Sequence, residues 1–166
     1  MATITPLYGT LSTLPCSTQA LAHSSTLDLG RQSAVADNTS GFDDAVDAMV
    51  GGIVGTSSNA STNRQIEIWS FGSWDNGSTF SVVGTSTVDA SLNVSSMKTL
   101  MKLVTIIPSM QGASTYQWGP FSVAQVYGGL MPTKWGIFIT HNTGVALGLT
   151  STVHNISYIP VKYESN

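Results

Sequence analysis

Charge is what this chain has least of. Asp, Glu, Lys and Arg make up 9% of its 166 residues, against roughly 25% in a typical soluble domain. Six basic residues and a net charge of −3 leave no basic patch, and Lys98 and Lys102 are the one close pair. Nucleic-acid binding needs a surface that neutralises several phosphates, so that class is excluded. Cysteine is almost missing too. Cys16 stands alone, which rules out an intrachain disulfide and reads as a buried or half-buried thiol. No apolar run approaches the ~20 residues of a membrane span. The N-terminus lacks the basic segment and apolar core of a signal peptide, so synthesis in a cytoplasm is expected. Long helical periodicity is absent as well. Parallel sheets need crossovers of a dozen or more residues, and none is found.

What fills the space is hydroxyl. The chain holds 43 serines and threonines, while 42% of its residues are hydrophobic. The apolar residues are periodic, which argues against disorder, and the length suits one domain with a real core. Such a surface suits β-rich secreted or virion proteins packed closely against neighbours. Five Asn-x-Ser/Thr sequons begin at Asn38, Asn59, Asn76, Asn93 and Asn155. In so Asn- and Ser-rich a chain they read as coincidence, not as glycosylation sites.

Residues 119–163 are the most informative stretch. Trp135, Ile137 and Ile139 alternate with Gly136, Phe138 and Thr140, so both faces are apolar, as in a strand buried on two sides. Asn142-Thr143-Gly144 is hairpin-turn chemistry, and Val145, Leu147 and Leu149 alternate on an expected return strand. A third strand, from Ile156 to Tyr163, follows.

Upstream, residues 1–27 carry Leu7, Tyr8, Leu11, Leu14 and Leu21 among Thr, Ser and Pro. They form either a first strand or an extended arm docked on a neighbouring subunit, because exposed leucines and a tyrosine are costly on a monomer. Residues 28–166 form a single β-sandwich domain. Short strands are expected at Arg31–Asp37, at Thr79–Val83 and at Leu100–Ile107, the last stopped by Pro108. Asp37 to Gly41 is a turn cluster. Phe42 to Val54 fits a helix or a strand; Gly51-Gly52 and the β-like surroundings favour strand. In Gln65 to Phe71, Ile66 and Ile68 point one way and Glu67, Trp69 and Phe71 the other. Asn76-Gly77 is a strong turn signal. Asp89 to Lys98 is polar, with room for a helical turn. In Thr115 to Val123, Tyr116 and Trp118 share a face, and Pro120 indicates an edge or a bulge. Eight to ten short strands without a long helix give an all-β antiparallel sandwich, with a jelly roll as the specific expectation.

Catalytic chemistry finds no foothold. His23, His141 and His154 lack a spacing that gathers a third metal ligand, and turn histidines bonded to backbone are the ordinary reading. No Gly-x-Ser-x-Gly elbow exists. Asp43, Asp44 and Asp47 are the one acidic cluster, without the ligand pattern of a calcium loop. The Gly-Gly pairs open no helix and are not phosphate loops. No catalytic residue, metal or cofactor is therefore expected. Of the four tryptophans, Trp118 and Trp135 fit a core. Trp74, beside a turn, is the candidate for an exposed contact with a partner or a sugar.

Gly119-Pro120-Phe121-Ser122-Val123, Gly128-Gly129-Leu130-Met131-Pro132 and Lys134-Trp135-Gly136 together resemble stretches of small virion proteins of tailed bacteriophages. Thr140 to Leu147, Ile156 to Val161, Gly30 to Ser33 with Asn38-Thr39, and Gln65 to Trp69 are similar too, so the resemblance spans about residues 29–163. It implies a β-sandwich structural subunit of the virion, a head decoration (cement) protein binding the major capsid protein and copies of itself, as a trimer. A tail, baseplate or fibre subunit attached to host glycans is the alternative. Leu7, Tyr8, Leu11, Leu14 and Trp74 are the expected contact residues.

Overall fold

The computed structural model describes residues 3–39, 45–82 and 86–165. Two antiparallel sheets pack face to face as a sandwich. The first sheet has the order β1-β11-β5-β9, where β1 is Ile4–Tyr8, β5 Asp47–Gly55, β9 Thr115–Ser122 and β11 Asn155–Ser165. A short β2 (Ser12–Thr13) also pairs with β11. The second sheet runs β7-β3-β10-β6-β8: Ala90–Asn93, Leu29–Gln32, Lys134–His141, Arg64–Ser73 and Lys102–Ser109, with β4 (Ala36–Asp37) extending β3 along β10. One four-residue helix, α1 (Val123–Val126), follows β9 and is capped by the Ser122 hydroxyl.

Alternation decides which side chains meet between the sheets. Val50 and Val54 of β5, Ile66 and Ile68 of β6, and Trp135, Ile137 and Ile139 of β10 close on Trp118 and Ile156. The opposite face of the second sheet carries its own cluster. There Phe71 and Phe138 are covered by Val82, Leu92, Val94 and Met101, from the chain between β6 and β8. Both faces of β10 are thus buried, which accounts for its apolar run. Gly136 is the residue that lets Phe71 lie across β10, since a Cβ there would stand 2.4 Å from the Phe71 ring.

Several expectations change. Val145–Leu149 is not a return strand: β10 is flanked by β6 on one side and by β3 and β4 on the other, leaving no free edge. Instead the chain crosses to the first sheet, with Leu147 buried and bridged to Thr56. Pro108 does not stop β8, which runs on to Ser109 as an edge strand, where a missing N–H is tolerated. Thr79 to Val82 form bends and no strand; Val83 lies outside the described residues. The expected strand at Arg31–Asp37 is split into β3 and β4. Asp89–Lys98 contains β7 and the start of a 3₁₀ turn, Ser95–Leu100. Phe42 to Val54 holds strand β5 from Asp47 onward, with Phe42, Asp43 and Asp44 outside the described residues. Pro120 marks both an edge strand and a bulge. Gly119 at φ +79° and Pro120 together oppose Gly51, after a cis Gly119–Pro120 bond. Residues 4–8 and 12–13 are strands laid along β11.

Candidate functional site

Among the described residues, the second sheet is covered on its outer side and the first is not. Register places Ile4, Tyr8, Met49, Ile53, Ile159 and Tyr163 on one face of the first sheet, opposite the Val50–Ile156 core face. A trough of about 580 Å³ runs across this outer face, with Gly51-Gly52 of β5 among its lining. Tyr8 and Leu11 form one wall, Gln117 and Pro120 the other, and Met49, Ile53 and Ile159 line it between them. No charged side chain lines it among the described residues. Tyr8 is 62% exposed and Leu11 64%, with Ile4 at 70% further along. Contiguous exposed apolar surface of this kind is uncommon on a monomer.

The sheet edges are poorer docking places. Proline interrupts the edge strands β1, β9 and β8 as Pro6, Pro120 and Pro108, and β7 is only four residues long. Each device discourages strand addition by a second chain.

The five expected contact residues are not gathered into one patch. Tyr8 and Leu11 line the trough. Leu7, paired with Lys162, sits on the other side of β1. Leu14 is 2% exposed, packed in the core and held by its N–H to the Ile156 carbonyl. Trp74 lies at the end of β6 in the second sheet. Met49, Ile53 and Ile159 were not singled out by sequence reasoning. The signal was there, because apolar residues on both faces of β5 announce a second apolar surface beside the core.

Trp74 stands over a separate recess of about 520 Å³, with Asp75, Thr79, Phe80, Lys102 and Tyr127 in its walls. Its ring meets Tyr127 edge-on, centroids 6.0 Å apart. Asn76 and Gly77, both at positive φ, make the expected turn behind it. Hydrogen bonds from the Ser73 hydroxyl and from Thr79 hold the Asp75 carboxyl down at about 2. Burial pushes the Tyr127 phenol up, although Ser70 bonds it.

His141, His154, Asp47, Cys16 and Asp89 line neither the trough nor this recess. His141 is fully buried, its Nε2 facing the Leu21 carbonyl and its Nδ1 the Thr143 hydroxyl. Burial lowers its pKa to about 4. His154, also lowered by burial, bonds Thr18 and the Gly148 carbonyl. Asp47 Oδ1 accepts from the Ala48 and Ala124 N–H groups. No three His, Cys, Asp or Glu groups gather among the described residues. Burial pushes the Cys16 thiol up, out of the range of a reactive thiolate. Burial works against ionisation of Asp89, yet Arg31 and Ser17 hold its carboxyl below the usual range. No family model matches this chain, and neither a curated protein nor a solved structure was found to be similar to it.

Proposed function

We propose that this chain is a jelly-roll structural subunit of a virion, a decoration (cement) protein that binds the head shell through the outer face of its first sheet. The uncovered apolar face from Tyr8 and Leu11 to Met49, Ile53 and Ile159 carries the reading. A monomer that covers one outer face of its sandwich and leaves the other apolar gains most from a permanent neighbour. The strand order supports the jelly roll. Omitting the short β2, β4 and β7, the sheets β1-β11-β5-β9 and β3-β10-β6-β8 have the interleaved order of two Greek keys. Jelly rolls serve as viral capsid and lectin domains, so fold leaves both a structural and a binding role open. Low charge and blocked edges favour the structural one. Its partners would be the major capsid protein and two further copies of itself, closed by cyclic symmetry.

The test is co-sedimentation of the purified protein with undecorated heads. Saturation at a stoichiometry set by the shell lattice, with greater resistance of the heads to heat, is expected. Absence of binding at micromolar protein overturns the reading. A tail, baseplate or fibre role in host attachment is the second reading, favoured by the exposed indole of Trp74.

A further inference from the structure

We propose that the recess beside Trp74 is a binding subsite for a neutral pyranose sugar. It stands independently of the cement reading, since it uses the second sheet and none of the trough residues. Trp74 is 56% exposed, yet it is not loose, because Tyr127 supports it edge-on and the Asp75–Gly77 turn fixes its backbone. A large, rigid, exposed aromatic ring binds with little loss of rotamer freedom. Its face suits the flat array of C–H bonds on a pyranose, which is apolar while its rim is hydroxylated.

Polar groups of both kinds complete the recess. Asp75 Oδ1 accepts from the Ser73 hydroxyl and the Thr79 N–H, whereas Oδ2 accepts from the Thr79 hydroxyl. A carboxylate offers about four acceptor sites, so Oδ2 retains capacity for a sugar hydroxyl. Lys102 supplies the donor: its ammonium has no hydrogen bond or ion pair among the described residues, and it lines the same recess. One acceptor and one donor flanking an aromatic face match adjacent hydroxyls of a neutral sugar. An anionic sugar would meet Asp75, and a purely apolar ligand would give the Lys102 ammonium no partner.

The experiment is titration of ¹⁵N-labelled full chain with the methyl glycosides of glucose, galactose, mannose and N-acetylglucosamine, and with glucuronate as the anionic arm. The indole N–H peaks of the tryptophans and the backbone amide peaks of residues 75–80, which report binding in every variant, are followed. At least one neutral glycoside should move the Trp74 peak in a saturable way, with millimolar affinity, while Trp118 and Trp135 stay fixed. Trp74→Ala should abolish the response, and Lys102→Gln should weaken it about 3- to 10-fold, each with the buried indole peaks unchanged. The proposal is overturned if no neutral glycoside moves the Trp74 peak at about 100 mM, more than tenfold above any useful subsite affinity. Binding that survives Trp74→Ala, or that prefers glucuronate, overturns it equally.

Discussion

Replacing Tyr8 and Leu11 by serine should uncouple docking from folding. Both side chains line the trough and are more than half exposed, Tyr8 at 62% and Leu11 at 64%. Full burial of a large apolar side chain is worth about 1.5–3 kcal/mol. The unburied fraction of each therefore leaves about 1–2 kcal/mol to be gained on docking. Together they should contribute about 2–4 kcal/mol per subunit, a loss of roughly 30- to 1,000-fold in affinity at 1.4 kcal/mol per tenfold. Folding stability should change by less than about 0.5 kcal/mol per site, as for ordinary surface substitutions. Sedimentation with undecorated heads reads the affinity, and urea unfolding of the free protein reads the stability. Unchanged binding with unchanged stability would refute the docking face. A large loss of stability would mean that Tyr8 and Leu11 hold the fold and not a partner.

Other predictions concern the core and its buried charges. Lys98 forms an ion pair with the buried Glu67 carboxylate and lies 5.0 Å from the Trp69 ring centroid. Among the described residues, Lys98→Met leaves that carboxylate with Gln65 and Trp69 as its donors and should cost about 2–4 kcal/mol. Adding Glu67→Gln should recover much of this, and strictly additive losses in chemical unfolding would contradict the coupling. Gly136→Ala drives a methyl towards the Phe71 ring and should cost about 1–3 kcal/mol. Calorimetry should show Tm falling by roughly 2–4 °C per kcal/mol, and an unchanged Tm would show that Phe71 repacks freely. For His141 the folded pKa lies below the unfolded one, at about 4 against 6.5. The unfolded chain thus takes up the proton first, and the stability is present above pH 6.5 and lost as pH falls towards 4. Up to about 1.4 kcal/mol is lost per pH unit in that window, with His154 adding in the same sense. His141→Gln should flatten the slope in urea titrations at several pH values; an identical slope would place the proton uptake elsewhere.

Sequence made the strands legible wherever one chain segment carried the whole pattern. Alternation in Gln65–Phe71, the doubly apolar run of Trp135–Ile139 and the bulge at Pro120 could all be read locally. Partners could not. A Gly144 turn after β10 looks like a hairpin, and only the occupation of both β10 edges by β3, β4 and β6 shows that the chain must cross over. The trough was illegible for the same reason: Tyr8, Ile53 and Ile159 meet because the first strand and β5 both pair with the last strand. Nor did the polar look of residues 89–98 reveal that Leu92 and Val94 help cover the second sheet. That covering is what leaves the first sheet as the bare face.

Copy number per purified virion, measured by quantitative mass spectrometry against the major capsid protein, tests the central claim most directly. A shell cement should be present in numbers comparable with the capsid protein. A handful of copies would contradict that claim and move the protein to the tail, and its absence from particles would contradict any structural role.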